Sequence, residues 1–297
     1  MQSFFTKLNI AILGGDRREL YLAEELNRLG AKVKLVGFSK EYARDGLDIV
    51  ESLENALENA KVAIAPMAGT DDEGKINAPF SSKPLYLTKT NLGLMRGDGL
   101  FLIGTAKPIV KKLCADNNLK LIELANLDEI AIPNAIPTAE GAIQLTMEKL
   151  PITINGAKAA ILGFGRVGFA VNKILKALNA DTVVVARKLS ALALAEEMGA
   201  KTSTFDNLLD AIQDVDVIYN TVPHLVLTRE VLMALPRNIL IIDLASAPGG
   251  VDFSAAKELG IEAFLALGLP GKVAPKTAGQ ILAKYVPQII FRELCSV

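Results

Sequence analysis

The residues of this chain best suited to chemistry lie in a glycine-rich turn, Gly163-Phe164-Gly165-Arg166-Val167-Gly168. An apolar run at 157–162 precedes it and a stretch of helical period at 167–178 follows. Each glycine has a steric task. The first permits a tight turn, the second lets backbone N–H groups approach a diphosphate, and the third lets the helix pack close to the strand. The helix N-terminus adds partial positive charge for the phosphates. A bare G-x-G-x-x-G is a weak signal, but strand before and helix after make a dinucleotide site the expectation, with a ligand-free glycine turn as the alternative.

The next apolar run, 182–186, ends in Ala186-Arg187-Lys188, with Ser190 just beyond. An NAD site usually places Asp or Glu there to hold the ribose 2′-OH. Ala186 stands in that place. A carboxylate would repel a 2′-phosphate, whereas the Arg187 guanidinium and the Lys188 ammonium attract one. NADP is therefore expected over NAD, and the alternative is a pair of solvated basic residues at a strand end.

Further candidates stand where other strands should end, since ligands of open α/β sheets bind outside the carboxyl ends of the strands. Asn220-Thr221-Val222-Pro223-His224 is expected beside the nicotinamide half of the cofactor, and His224, the single histidine, is of the side-chain type suited to general acid–base work. A plain loop histidine is the competing reading. Asp243 ends the next run and is a second candidate for handling a proton. Lys272, in Gly268-Leu269-Pro270-Gly271-Lys272, reads as a glycine-flanked turn lysine able to hold a substrate carboxylate or merely solvated. Thr138 and Glu140, in Ile136-Pro137-Thr138-Ala139-Glu140-Gly141, read as an N-cap and a first-turn acid opening a helix, which is ordinary helix-start chemistry or donors for an anionic substrate. Asp16 and Glu19 are spaced like a capping box after Gly14-Gly15, without the three-glycine pattern, so no second dinucleotide is assigned. Gly69-Thr70-Asp71-Asp72-Glu73-Gly74-Lys75 is a polar loop that lacks the calcium-loop spacing, with Thr70 and Ser81 as minor candidates for substrate contact.

The elements that must position these residues come from an alternation that runs twice along the chain. Apolar runs at 8–13, 32–36, 61–65, 100–103 and 119–121 form one series, and runs at 158–162, 182–186, 216–219, 239–243 and 262–266 form another, with helical stretches between. This implies βαβ units and an α/β fold of two doubly wound parallel-sheet domains, the C-terminal one a Rossmann NAD(P)-binding domain, joined by an interdomain helix. The expected divisions are a flavodoxin- or Rossmann-like substrate-side domain at 1–134, a connecting helix at 135–151, the Rossmann domain at 152–276, and a terminal helix at 277–297 returning to the first domain. Pro275 suits a first helical residue.

Composition sets limits. With 297 residues, 32 basic against 33 acidic side chains and a net charge of −1, the chain offers no electrostatic footprint for nucleic acid or an anionic membrane. A hydrophobic share of 51%, 22% charged residues and a mean hydropathy of +0.32 exclude disorder as the main theme. The most apolar stretch, 231–244, is broken by Pro236, Arg237 and Asn238, short of a spanning helix. The first residues do not read as a signal peptide, and a cytoplasmic location is the expectation. Cys114 and Cys295 have neither metal-ligand nor disulfide-framework spacing, so no metal site is expected.

Taken together, Gly14-Gly15-Asp16-Arg17, Gly69-Thr70, Gly74-Lys75, Ile136 to Gly141, the Gly163 turn and the segment from Gly268 to Gly279 resemble the family of dipicolinate synthase A subunits, from the first strand to the last helix. The resemblance implies an NADP-dependent oxidoreductase that makes dipicolinate (pyridine-2,6-dicarboxylate) from 4-hydroxytetrahydrodipicolinate, a small dicarboxylate of the lysine pathway, in the mother cell of a sporulating bacterium. It also implies the flavoprotein-like B subunit of dipicolinate synthase as partner, and a homo-oligomer is expected. Other readings are a different two-domain NADP dehydrogenase of a small acid, similar in layout to shikimate or methylenetetrahydrofolate dehydrogenases, and a cofactor-binding scaffold that supports a catalytic partner.

Overall fold

The computed structural model describes residues 2–295; Met1, Ser296 and Val297, with which the expected first and last segments begin and end, lie outside the described residues. The chain divides into two compact units, residues 1–133 with 274–297, and residues 134–273. In the first unit β1 (Asn9–Leu13), β2 (Lys32–Val36), β3 (Asp48–Val50), β4 (Val62–Ile64), β5 (Leu100–Ile103) and β6 (Lys120–Glu123) form a parallel sheet in the order β3-β2-β1-β4-β5-β6. In the second, β7 (Lys158–Leu162), β8 (Asp181–Val185), β9 (Lys201–Ser203), β10 (Val217–Asn220), β11 (Leu240–Asp243) and β12 (Glu262–Leu265) take the order β12-β11-β10-β7-β8-β9. Both are the 3-2-1-4-5-6 order of doubly wound dinucleotide folds.

The central strands read as near-continuous apolar runs because both of their faces are covered. Along β1, Ile10 and Ile12 enter one core with Leu22 and Leu26, while Ala11 and Leu13 enter another with Leu57 and Val110. The second unit repeats this, with Ala159 and Ile161 of β7 on one side and Ala160 and Leu162 on the other. The edge strands β3 and β9 carry no run that sequence periodicity detects. Each is three residues long, and Asp48, Lys201, Thr202 and Ser203 dilute any apolar signal; pairing with β2 and β8 makes them strands.

Two helices depart from the sequence expectation or extend it. The expected connecting helix does not open at Pro137-Thr138; it spans Asp128–Lys149, with Asp128 and Glu129 as its first-turn acids. Thr138 is therefore an interior residue, not an N-cap, and its hydroxyl bonds back to Asn134 O at 2.8 Å. Glu140 is likewise a mid-helix, solvent-facing acid rather than a first-turn one. Proline is usually confined to a first turn, but here Pro133 and Pro137 both lie inside the helix. The last helix, Pro275–Cys295, starts at Pro275 and lies on the helix Arg17–Arg28 in the first unit, burying Leu282, Val286, Ile289 and Ile290.

The turn from β1 into the helix Arg17–Arg28 is closed by acids. Asp16 caps Arg18 N at 2.9 Å, while Glu19 accepts from Asp16 N at 2.8 Å and from Met67 N at 3.1 Å, tying the turn after β1 to the segment after β4. Burial pushes the Glu19 carboxyl up to about 6; Arg18 pulls it down and Asp16 adds to the rise. The folded chain thus holds this proton more tightly than the unfolded chain, whose value is 4.5. The stability carried by the protonated form is complete below pH 4.5 and is lost as pH rises through 6. Glu19→Gln should remove this slope, so wild-type stability relative to the variant should fall by roughly 2 kcal/mol between about pH 4 and pH 7. Thermal melts across that range check it, and a level difference would contradict the assignment.

Candidate nucleotide-binding site

The glycine turn is built as its chemistry requires. Gly163 adopts φ +86°, and its N–H bonds Val185 O at 2.8 Å, so the turn is tied to β8. Gly168 lies in the helix Arg166–Ala177, and a Cβ there would drive into the carbonyl oxygen of Gly163, so only glycine lets helix and turn approach this closely. A Cβ on Gly165 would meet nothing within 4 Å. Gly165 is also the N-cap, and no side chain caps the start of this helix. An uncapped helix start beside an open glycine is the cradle a diphosphate needs, so the residues present fit a dinucleotide. Phe164 and Val167 are half-buried, and Arg166 is the exposed first helical residue.

β8 ends at Val185, and Ala186 behind it is buried, with its N–H on Ser203 O. Arg187, Lys188 and Ser190 are exposed at this strand end, on the way into the helix Leu189–Glu197. Ala186, Arg187 and Lys188, with no Asp or Glu among them, directly follow β8.

The segment after β10 is held by a buried network. Asn220 is fully buried; its amide donates to Val222 O at 3.0 Å and to Asp243 Oδ1 at 2.9 Å, and its oxygen accepts from Val222 N at 3.1 Å. Thr221 bonds Leu162 O at 2.9 Å and packs against Gly163. Pro223 and His224 are exposed, so the imidazole is presented to solvent on a backbone that Asn220 fixes. Asp243 does not match its expected role. It is fully buried and accepts from Asn220, from Ala245 N at 3.0 Å and from Gly250 N at 2.7 Å, which makes it the clamp of this turn, with no solvent-facing oxygen to take a proton. Gly250, not singled out by sequence, receives the N–H groups of Val226 and Leu227 and sits where a Cβ would strike Asn220 and the carbonyls of Val222 and His224. Its place in the short Gly249-Gly250 pair after β11 was the available signal.

Lys272 is also corrected: it lies in a helix, Leu269–Val273, and not in a flexible turn, though it remains exposed. That helix meets the long helix at Gly141, where a Cβ would lie 3.0 Å from Leu269 and 3.2 Å from Val273. Two segments read separately in the sequence, Pro137 to Gly141 and Gly268 to Lys272, are thereby packed together. Among the described residues no group of three or more His, Cys, Asp or Glu is placed to hold a metal ion, and no helix is long and apolar enough to cross a membrane.

Strand order, uncapped helix and open glycine define a nicotinamide-dinucleotide-binding domain of the dehydrogenase kind, and residues 138–247 match the family model described as the NAD binding domain of D-isomer specific 2-hydroxyacid dehydrogenases. Residues 9–125 match the N-terminal domain of the dipicolinate synthase A subunit. The chain belongs to the family of dipicolinate synthase A subunits: it is 37% identical to the member from Bacillus subtilis (strain 168) over 286 residues, 96% of either chain. The crystal structure of the dipicolinate synthase A subunit from Bacillus halodurans superposes with a TM-score of 0.90 at 38% identity, covering 94% of this chain and 96% of that one. The crystal structure of the same subunit from Bacillus subtilis gives 0.88 at 36% identity, covering 98% of each.

The glycines separate fold from binding. Gly168→Ala should lower stability by about 1–3 kcal/mol through overpacking, seen as a lower Tm. Gly165→Ala should leave Tm near wild type while raising the dissociation constant for the nicotinamide dinucleotide about tenfold or more. Unchanged nucleotide affinity in Gly165→Ala would remove this turn as the phosphate cradle.

Proposed function

We propose that the chain is the NADP-dependent oxidoreductase component that forms dipicolinate from 4-hydroxytetrahydrodipicolinate, working with the B subunit of dipicolinate synthase in the cytoplasm of a sporulating cell. The observation that carries this reading is the extent of the likeness: the dipicolinate synthase A subunit of Bacillus subtilis matches across 96% of the chain, so the likeness takes in the first unit as well as the nucleotide side.

The chemistry asks little of the protein beyond placement. The substrate gives up water, then a hydride and a proton, and its ring becomes aromatic, so positioning and a proton acceptor suffice. NADP, when bound, supplies the hydride acceptor. The backbone N–H groups after Gly165 hold its diphosphate. Arg187 and Lys188, exposed where an NAD site keeps an acid, hold the 2′-phosphate. His224, exposed on the Asn220-braced loop, takes the proton at an imidazole nitrogen.

Purified chain, NADP and the precursor, with and without the B subunit, should yield the dipicolinate absorbance in at least one arm; shikimate in its place should yield no reduced NADP. If both arms stay blank while NADPH still binds, the chain is a cofactor-binding scaffold. Arg187→Ala should weaken NADPH binding at least about tenfold and NADH binding far less, and equal losses would refute the 2′-phosphate assignment. His224→Ala should lower kcat by about a hundredfold with NADPH affinity intact. Full turnover in that variant would remove the imidazole from the mechanism.

A further inference from the structure

The first unit repeats the strand order of the second yet treats its corresponding end differently. At the turn after β1 the helix start is filled by the chain's own anions, Asp16 and Glu19, and a Cβ on Gly15 would run into the Glu19 carboxylate. Asp16 is itself paired with the Arg18 guanidinium at 2.9 Å, so this turn satisfies its own helix start, whereas no side chain caps the helix after the Gly163 turn. Over the same sheet end lies an excursion of the chain that begins after β4. Asn77 O accepts from Gly15 N at 2.9 Å, which fastens the excursion to the turn after β1, beside the β1–β4 pair where the strand order reverses. Ligands of doubly wound sheets bind at that point.

The excursion encloses a groove of about 660 Å³, within the size range of small-molecule sites. Its polar lining includes Thr70, Asp71, Lys75, Asn77, Ser82 and Lys83. The frame is held by the backbone: Thr70 pairs with Ile76 and Lys75 with Tyr86 in antiparallel bridges. Asp71, which also lines the groove, is partly satisfied, its Oδ1 accepting from Glu73 N at 3.0 Å and Lys75 N at 2.8 Å. The Ser81 hydroxyl donates to Lys83 O at 2.6 Å, which shapes the opposite wall. Neither the Lys75 nor the Lys83 ammonium has an ion-pair partner among the described residues, whereas neighbouring Asp72 is taken by Lys107 at 3.0 Å. Two unpaired ammonium groups, flanked by hydroxyl and amide donors on a fixed frame, match a small molecule with two carboxylates.

We propose that this groove in the first unit binds the dicarboxylate, one carboxylate on Lys75 and the other on Lys83, with Asn77 and Ser82 donating to their oxygens. The inference rests on the dicarboxylate chemistry of the proposed function and assigns it residues.

Calorimetric titration of the full chain with dipicolinate, without nucleotide, tests it. Wild type should bind. Lys75→Ala and Lys83→Ala should each raise the dissociation constant about tenfold, the double variant should give no measurable binding, and NADPH affinity should stay within about twofold in all three. Both lysines are exposed, and a wild-type Tm for the double variant shows that the loss is not unfolding. Picolinate, with one carboxylate, should bind wild type at least about tenfold more weakly. Absence of dipicolinate binding by wild type, or equal binding by wild type and the double variant, overturns the groove assignment. If the double variant also keeps the wild-type KM for the precursor in the presence of the B subunit, the groove fails while the proposed reaction stands. If dipicolinate binds as expected and no turnover appears with the B subunit, the reaction fails while the groove stands.

Discussion

The nucleotide side of the second unit depends on one close approach, the helix Arg166–Ala177 set against the carbonyl of Gly163 through Gly168. With a side chain at 168 the helix must move away, and the row of N–H groups at its start moves with it. The same approach puts Gly163 against Thr221, whose hydroxyl is fixed on Leu162 O, so the ends of β7 and β10 are locked side by side. The phosphate cradle and the loop that carries His224 are therefore set by the same packing.

Behind that packing sits a polar interior that serves position rather than reaction. Asp243 and Asn220 are both fully buried, and their oxygens and amide are taken up by one another and by the backbone of residues 222, 245 and 250. A buried carboxylate with three donors is tolerated because its charge is met by hydrogen bonds. Removing it would leave those donors unpaired in the interior. The exposed groups, Arg187, Lys188, His224 and Lys272, are the ones free to meet a ligand, and the buried ones hold the turn that carries His224 in place.

The two units show how one strand order supports two kinds of turn. The turn after β7 ends in an uncapped helix and stays open to an anion, whereas the turn after β1 supplies its own carboxylates and is covered by the excursion through Asn77. The difference lies in a few side chains, Glu19 above all, and not in the topology. Function in such folds is set at the loops, and the duplicated sheet is a scaffold for both.

Much of this was legible in the residues. The central strands show as apolar runs because burial on both faces leaves no polar alternation, and Lys32–Val36, Leu100–Ile103 and Lys158–Leu162 match their expected limits. The Gly163 turn, the basic end of β8 and the capping box at Asp16 and Glu19 are local patterns whose chemistry follows from spacing alone. Sequence did not reveal the edge strands β3 and β9, whose pairing is decided by neighbours distant along the chain. Nor did it reveal the start of the long helix, where Thr138 suggested an N-cap and the helix in fact runs from Asp128. The burial of Asp243, the meeting of Gly141 with Leu269 and the groove around Lys75 and Lys83 are likewise properties of the folded chain. A side chain's type and spacing determine what it can do, but whether it faces solvent, and what it faces, depends on contacts between segments far apart in sequence, which only the tertiary structure decides.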